Sequence, residues 1–338
     1  MKNLKNIITK FKNARIMVVG DLILDQYIWG DVERVSPEAP VPVVWAKNRT
    51  YVPGGAANVA NNISALGAKV SLLGVLGDKS EHATEKFQLE ARKLGIDTSG
   101  VFFEKGRKTT LKTRIIAGHQ QVVRVDWEDV HNIAKDVKAR LVEYLYKSIK
   151  KFDAIIIEDY GKGLLDRELT VDIIKHANAF NKIVTIDPKE NNFDCYSRAT
   201  CITPNRKEAQ NAIRYLKMKD VGNRFKIYKE ELLTDSDIIK AGEAILKYLQ
   251  LESLLITLGE SGMWLFEKGQ NKHIPTVAQE VFDVSGAGDT VIATFTLALA
   301  CGAEKLEAAH IANFAAGIVV GKLGTAVTTR EELTERLR

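Results

Sequence analysis

The segment DVSGAGDT at residues 283–290, which runs directly into the apolar stretch 291–301, is the most informative part of this 338-residue sequence. Small residues ahead of a helix let backbone N–H groups approach an anion, and the helix N-terminus adds a partial positive charge. Gly286, Ala287 and Gly288 therefore predict an anion-binding turn. Asp289 would repel an anion, so its position indicates a general base that takes a proton from an attacking hydroxyl. The alternative is that Asp289 only stabilises the helix dipole.

Short apolar runs alternate with helical stretches along the rest of the chain. The strands are predicted at residues 16–19, 70–73, 154–157, 183–186 and 254–258. The helices are predicted from the turn at residues 54–58 to about 67, at residues 81–94, and at about 287–300 and 306–322. Continuous apolar strands that alternate with helices are typical of a mostly parallel sheet covered on both faces, so the sequence predicts an α/β fold.

Two segments break this alternation. Residues 41–45 and 109–127 have strand-like composition without a helix between their strands, and Gly118 in the second segment predicts a hairpin. We expect a small β-sheet lid built from segments at about 25–50 and 108–128, inserted into one domain that spans residues 1–338.

Composition excludes several classes of protein. The apolar runs are too short for a membrane span, which needs about 20 residues, and residues 1–15 lack the apolar core of a signal peptide. A cytoplasmic protein is therefore expected. The 48 basic and 43 acidic residues leave a charge of only +5, and the basic residues are scattered, so no nucleic-acid partner is predicted. Cys195, Cys201 and Cys301 form no CxxC pair, which argues against a disulfide framework or a zinc site.

Three further motifs lie at predicted turns. The glycine turn at residues 54–58 precedes a helix, and Asn58 could donate to a ligand hydroxyl. The turn at residues 257–262 follows a strand and could line a nucleotide phosphate. Asn205 and Glu208 are three residues apart at a helix start, where they could organise Mg²⁺ through water. Plain turns and helix capping are the alternatives for all three.

The order of these motifs resembles that of the ribokinase-like (PfkB-type) carbohydrate kinases. The similarity covers residues 16–327 and includes Gly-Asp at 20–21, Gly-Gly-x-x-Asn at 54–58, Asn-x-x-Glu at 205–208, Thr-x-Gly-x-x-Gly at 257–262 and Gly-Ala-Gly-Asp at 286–289. It implies a ribokinase-like parallel sheet sandwiched by helices, with a β lid. It also implies ATP as the phosphoryl donor, Mg²⁺ as a cofactor, and K⁺ as an optional one.

Finer similarity points to one substrate within this family. Residues 20–25, 36–44, 53–60, 120–126, 159–163 and 319–325 resemble the kinases of D-glycero-β-D-manno-heptose 7-phosphate. The resemblance implies phosphorylation of the anomeric 1-hydroxyl to give the 1,7-bisphosphate, a step of ADP-heptose biosynthesis for the lipopolysaccharide core or another heptose-containing glycan. In some relatives a second domain with an HxGH motif follows the kinase. The six histidines here stand in no such context, so we expect this chain to stop at the bisphosphate.

The resemblance also assigns roles to individual residues. It makes Asp289 the catalytic base and places the anion hole at Gly286, Ala287 and Gly288. The nucleotide-binding residues that it implies are Asn205, Glu208, Thr257, Gly259, Gly262 and Asn313, with Mg²⁺ held through ATP phosphates and water near Asn205 and Glu208. The substrate-binding residues that it implies are Asp21, Asp25, Gly54, Gly55 and Asn58, with Arg124 and Lys162 at the sugar's phosphate. The residues that it implies for a monovalent cation are Asp283 and Ser285.

The expected partners are small molecules, namely ATP and a sugar phosphate. A homodimer through the β lid is a further expectation from the family. Two alternatives stay open at this point: a related kinase for another sugar or sugar phosphate, such as fructose or ribose, and a non-catalytic sugar-nucleotide sensor that keeps the fold.

Overall fold

The computed structural model describes residues 2–118, 120–222, 224–227, 229–278 and 280–337, without the side chains of Lys2 and Asn3. Over these residues the chain forms two β-sheets flanked by helices. The strands are β1 Arg15–Gly20, β2 Leu22–Val35, β3 Pro42–Gly55, β4 Lys69–Leu76, β5 Asp97–Phe103, β6 Thr110–Ala117, β7 Gln120–Trp127, β8 Ala154–Glu158, β9 Ile183–Asp187, β10 Cys201–Ile202, β11 Ser253–Thr257, β12 Met263–Glu267 and β13 Gln270–Ile274.

The helices lie mainly between the strands of the larger sheet. They are α1 Lys2–Lys10, α2 Ala56–Ala65, α3 His82–Lys93, α4 Lys135–Ser148, α5 Arg167–Ala179, α6 Arg206–Lys219, α7 Asp235–Tyr248, α8 Ala287–Ala300, α9 Lys305–Val319 and α10 Arg330–Arg336. The 3₁₀ turns are Phe11–Asn13, Ile149–Lys151, Glu190–Cys195 and Gly259–Ser261.

The larger sheet has the strand order β13-β12-β11-β10-β9-β8-β1-β4-β5 over the described residues. Every pairing from β5 to β11 is parallel, while β12 and β13 add an antiparallel hairpin at one edge. One apolar cluster packs α2, α3, α8 and α9 on one face, and a second packs α4 to α7 on the other. The predicted α/β fold with a mostly parallel, two-sided sheet is confirmed.

The smaller sheet has the order β3-β2-β6-β7. The antiparallel pairing of β6 with β7 confirms the hairpin around Gly118, whose φ of 59° suits glycine. β2 and β3 run from residue 22 to residue 55, so the small sheet starts closer to the main sheet than the expected 25–50 segment. The reason is that β2 leaves β1 after a single residue, Asp21.

The last long helix is shorter than predicted. α9 ends at Val319 and not at residue 322. Val320 still has helical dihedral angles and its amide donates to the Ala316 carbonyl, but the Lys322 amide then turns back to Val319 and Gly324 is left-handed. No helix of the described chain is both long and apolar enough to cross a membrane. The carboxyl ends of the parallel strands lie along one edge of the larger sheet, and the predicted site residues gather at that edge.

Candidate active site

Asp289 lies in the first turn of α8 and is held by two neutral donors. Asn58 on α2 donates from Nδ2 to Oδ2 of Asp289 at 2.5 Å, and the Tyr160 hydroxyl donates to Oδ1 at 3.0 Å. Burial raises the pKa of Asp289 to about 6, and these two hydrogen bonds limit the rise because they stabilise the carboxylate. A fixed carboxylate with this pKa suits a general base.

Asn58 therefore contacts the Asp289 carboxylate, where the sequence predicted a donor to a ligand hydroxyl. The other side-chain atom, Oδ1, is buried and has no hydrogen-bond partner among the described residues. A buried acceptor without a partner is costly, so a hydroxyl donor from a ligand would satisfy it. Asn58 can thus hold Asp289 and a sugar hydroxyl at the same time.

The turn before α8 has the form that anion binding requires. Gly286 caps the helix with a φ of 78°, and an added Cβ would lie 3.0 Å from Nδ2 of Asn58. Nothing lies within 4 Å of a Cβ added at Gly288, so the space beside this turn is open. The first amide groups of a helix lack partners within the helix and are available to an anion.

A cavity of about 640 Å³ begins at this turn and collects the predicted nucleotide residues. Thr257 ends β11, Gly259 and Gly262 lie on the turn between β11 and β12, and Asn313 lies on α9. Gly262 has a φ of 81°, and an added Cβ would collide with the Ile274 carbonyl oxygen. The cavity lining is mostly apolar, as in sites that take a flat ring system. Its residues are Thr257, Leu258, Gly259, Glu260, Gly262, Met263, Thr276, Ala278, Val281, Val284, Ala287, Gly288, Val291, Asn313, Ala316, Gly317 and Val320.

Asn205 and Glu208 form a reciprocal cap on α6. Oδ1 of Asn205 accepts from the Glu208 amide at 3.0 Å, and Oε2 of Glu208 accepts from the Asn205 amide at 2.8 Å. This is the capping geometry that the sequence left open as the alternative, and neither residue lines the nucleotide cavity. The Glu208 carboxylate is nevertheless near enough to raise the pKa of Asp187.

A cluster of buried carboxylates beneath α8 was not predicted as part of the site. Glu158 ends β8, Asp187 ends β9, and carboxylate oxygens of these residues and of Asp289 lie within 4.8 Å of one another. Burial first, and then the mutual repulsion of the carboxylates, raises the pKa of Glu158 and of Asp187 well above the usual range. Acidic residues at the ends of neighbouring parallel strands were the available sequence signal.

Asp21 holds a loop, where the resemblance implied contact with the sugar. Its carboxylate accepts backbone hydrogen bonds from Tyr160 and Lys162 at 3.0 Å and from Leu164 at 3.3 Å. Burial raises the pKa of Asp21 to about 6 despite these bonds. Asp21 thus positions the segment that carries Tyr160 and Lys162.

Charged side chains line one face of the small sheet. Asp25 and Lys112 are register partners, as are Lys112 and Asp126, and Arg114 and Arg124. Register partners project from the same face, so these five residues share it. Arg114 pairs with Asp25, whose carboxylate fits beside the bare Cα of Gly54. Gly55 caps α2 at the end of the same strand.

The two residues predicted at the sugar phosphate belong to one chain of ion pairs. Lys162 pairs with Glu128 at 2.7 Å, and Arg124 pairs with Asp126 at 2.9 Å. Lys112 lies between them, 3.2 Å from Asp126 and 3.8 Å from Glu128. The sequence did not point to Lys112, Glu128 or Arg114, because their proximity depends on strand register.

Asp283 and Ser285 lie together ahead of the anion-binding turn. Oδ1 of Asp283 accepts from the Ser285 amide at 2.9 Å, and Oδ2 accepts from the Gly324 amide at 3.1 Å. These bonds outweigh partial burial and lower the pKa of Asp283. Its carboxylate is therefore charged at neutral pH and faces the loop at residue 324.

The fold and this site agree with the family match. Residues 13–332 match the pfkB family of carbohydrate kinases. The chain therefore belongs to this family, whose members transfer a phosphoryl group to a sugar hydroxyl. The ribokinase-like fold and the kinase class predicted from the sequence are both confirmed.

Curated relatives and solved structures add detail. The chain is 45% identical over 319 residues to the bifunctional protein HldE of Helicobacter pylori strain J99, covering 94% of this chain and 65% of that protein. It is 42% identical to HldE of Desulfatibacillum aliphaticivorans, covering 98% and 64%. The chain thus spans slightly less than two thirds of these relatives.

The solved structures share the fold at low sequence identity. Ribokinase from Thermotoga maritima superposes with a TM-score of 0.71 at 24% identity, over 96% of this chain and 99% of that one. Phosphofructokinase-2 from Escherichia coli, solved in complex with potassium, gives a TM-score of 0.75 at 17% identity, over 95% and 97%.

Proposed function

We propose that this chain phosphorylates the anomeric 1-hydroxyl of D-glycero-β-D-manno-heptose 7-phosphate with ATP. The observation that carries the proposal is the position of Asp289. This carboxylate lies between the nucleotide cavity at the start of α8 and the α2 residue Asn58, at the end of the sheet where the lid begins. Similarity to HldE over 94% of the chain supports a heptose as the acceptor.

Different residues carry the separate roles of phosphoryl transfer. Asp289 takes the proton from the acceptor hydroxyl as its oxygen attacks the γ-phosphorus, and the bond from phosphorus to the ADP oxygen breaks. The amides at the start of α8 stabilise negative charge on the transferring group. Asn58 and Tyr160 hold the base in line. The cavity between β11 and α9 holds the nucleotide.

The charged face of the lid supports a phosphorylated acceptor. The face carries three cationic side chains, Lys112, Arg114 and Arg124, against the carboxylates of Asp25 and Asp126. Lys162, in the loop after β8, joins this network through Glu128, which follows β7. A phosphate dianion would add bonds to this network from cations that are already ordered. Asp25 and Gly54 lie at the sugar end of the same face.

Two cations complete the proposal. Mg²⁺ would neutralise the ATP phosphates when bound, and Asn205 and Glu208 would reach it through water, since the Glu208 carboxylate is close enough to act on Glu158 and Asp187. K⁺ would sit at the Asp283 carboxylate and the residue 324 loop. The test for K⁺ is the dependence of kcat on K⁺ against Na⁺ at constant ionic strength, and equal rates would remove this cation from the proposal.

A homodimer through the small sheet is the proposed assembly. Val123, Val125 and Trp127 alternate on β7 and share one face, where each is exposed. Apolar residues on an edge strand are usually covered by a partner. Sedimentation should give the mass of a dimer, and Val125→Glu should give a monomer. A monomeric wild-type protein would contradict this assembly.

A panel of acceptors tests the substrate. ADP release is measured with heptose 7-phosphate, free heptose, ribose, fructose and fructose 6-phosphate, and the product is located by ³¹P NMR. We expect the highest kcat/KM for heptose 7-phosphate and a new anomeric phosphate. A higher value for another sugar would favour the related-kinase alternative. Nucleotide and sugar binding without any turnover would favour the sensor.

A further inference from the structure

We propose that Glu158 and Asp187 form a protein-held site for one divalent cation, and that this site is loaded before the nucleotide arrives. The proposal rests on the proposed kinase reaction for the purpose of the ion, although its test needs no kinase turnover. It places the ion on strand-end carboxylates beneath α8, apart from the capping pair Asn205 and Glu208.

The sheet brings the two carboxylates together. Glu158 and Asp187 are register partners at the ends of the parallel strands β8 and β9. Thr185, two residues before Asp187, contacts Thr296 of α8, so this side of β9 faces the helix. A Cβ added at Gly20 on β1 would lie 2.6 Å from the Glu158 Cβ. Glycine at position 20 therefore leaves the room that the Glu158 side chain occupies.

The unpartnered carboxylate of Glu158 points to a ligand. Its side chain is 0% exposed, and neither carboxylate oxygen has a hydrogen-bond partner among the described residues. Buried charges in proteins are paired or coordinate metals. Asp289 differs, since both of its oxygens accept hydrogen bonds from Asn58 and Tyr160. Glu158 thus has ligand capacity that the surrounding protein does not use.

The spacing suits a small hard cation. Oxygens of Glu158, Asp187 and Asp289 lie within 4.8 Å of one another. Oxygen ligands lie about 2.1 Å from Mg²⁺ and about 2.3–2.6 Å from Ca²⁺, so two ligands of one hard cation are at most about 4.2–5.2 Å apart, and oxygens this close can share one ion. Mg²⁺ is usually bound by one or two carboxylates together with water and substrate phosphates. Glu158 and Asp187 supply the two carboxylates, and Asp289 remains free to act as the base.

The same ion explains how a triphosphate reaches this end of the sheet. Asp159 and Glu208 add negative charge around Glu158. Like charges in a poorly solvated site repel strongly, so phosphate oxygens need a cation between them and the carboxylates. The anion-binding turn at Gly286 lies beside Asp289 in the sequence and the structure, so an ion on Glu158 would face the transferring group.

Binding of Mn²⁺ alone, without nucleotide, tests the proposal. Electron paramagnetic resonance of the full chain should show one bound Mn²⁺ per chain. Glu158→Gln should weaken this binding more than about tenfold, the lower end of the loss seen when even an outer partner of a metal site is removed. Glu143→Gln, an exposed carboxylate on α4, is the matched control and should bind as the wild type does.

Thermal unfolding gives a second readout that does not depend on activity. Mn²⁺ should raise the Tm of the wild type and of Glu143→Gln but not that of Glu158→Gln. Glu158→Gln should otherwise keep or raise the metal-free Tm, because it removes a buried charge. If that variant does not fold, the site is tested by Mn²⁺ binding to Asp187→Asn and by the Mn²⁺-dependent Tm of the wild type.

Two results would overturn the site. They are a wild type that binds no Mn²⁺ without nucleotide, and a Glu158→Gln variant that binds it as the wild type does. Either would mean that Glu158 does not ligate a protein-held cation. Failure of the wild type to phosphorylate heptose 7-phosphate while it binds Mn²⁺ would contradict the proposed function and leave this site standing.

Discussion

Nδ2 of Asn58 lies 2.5 Å from Oδ2 of Asp289, which joins α2 to α8 across 231 positions of sequence. Asn62 lies one turn after Asn58 on α2, and its Oδ1 accepts a hydrogen bond from the hydroxyl of Thr290, the residue after Asp289, at 2.8 Å. The two contacts fix the start of α8 against the helix that begins at the lid. The Asp289 carboxylate is therefore anchored to α2 as well as to its own helix.

Asp289→Asn should lower kcat by at least about 10²-fold, because a general base contributes about 10²–10⁴-fold. ATP affinity should stay near the wild-type value, since the nucleotide cavity is lined by other residues. ADP release measures the first quantity and calorimetry the second. A variant that keeps more than about a tenth of the wild-type kcat would show that Asp289 is not the base.

The pH dependence of kcat/KM should have an acid limb at about pH 6 or below, since burial raises the pKa of Asp289 to about 6. The base acts only when ionised, so the rate should fall about tenfold for each pH unit below the limb. A cation on Glu158 would move the limb lower by favouring the carboxylate. Initial rates at saturating Mg²⁺ measure it, and a limb above pH 7 would contradict the assignment.

Tyr160→Phe should move that acid limb to higher pH. The variant removes the donor to Oδ1 of Asp289, a bond that lowers the pKa of this carboxyl. A hydrogen bond to a charged group contributes about 1.5–3 kcal/mol, which corresponds to about one to two pKa units. Tyr146→Phe is the control, because Tyr146 donates to the half-buried Asp172, away from Asp289. Equal limbs in wild type and Tyr160→Phe would exclude this role.

The sequence predicted those parts of the fold that are encoded locally. Apolar runs that end at glycine or acidic residues marked the parallel strands, because a strand buried on both faces needs continuous apolar residues. The hairpin β12–β13 was missed, since it extends the sheet with only five residues in each strand. The end of α9 was placed too late, because apolar residues continue through the turn after Val319.

The difference between locally encoded features and those that depend on strand order also explains which residues of the candidate site were predicted. Asp289 and the glycines before it lie in one short motif, so their chemistry could be inferred from spacing. Tyr160, Glu158 and Asp187 depend on which strands are neighbours, and no local pattern encodes that order. Arg124 and Lys162 were proposed at the phosphate end, but the residues that connect them, Lys112 and Glu128, follow only from the lid register.

Lys162→Met should raise KM for heptose 7-phosphate by about 10- to 100-fold, with a smaller change in kcat. The reason is that a charge-assisted bond of about 1.5–3 kcal/mol to the substrate phosphate is lost in both the ground state and the transition state. Lys162, in the loop after β8, is ordered by Glu128 at 2.7 Å, beside the charged lid face. Lys47→Met is the control, because Lys47 also pairs with a lid carboxylate, Asp31, but is fully exposed to solvent. Its kinetics should match the wild type.

Free heptose should be a poor substrate for all three proteins, and its kcat/KM should not respond to Lys162→Met. A wild type with equal kcat/KM for heptose and heptose 7-phosphate would show that the phosphate is not recognised, whatever Lys162 contacts.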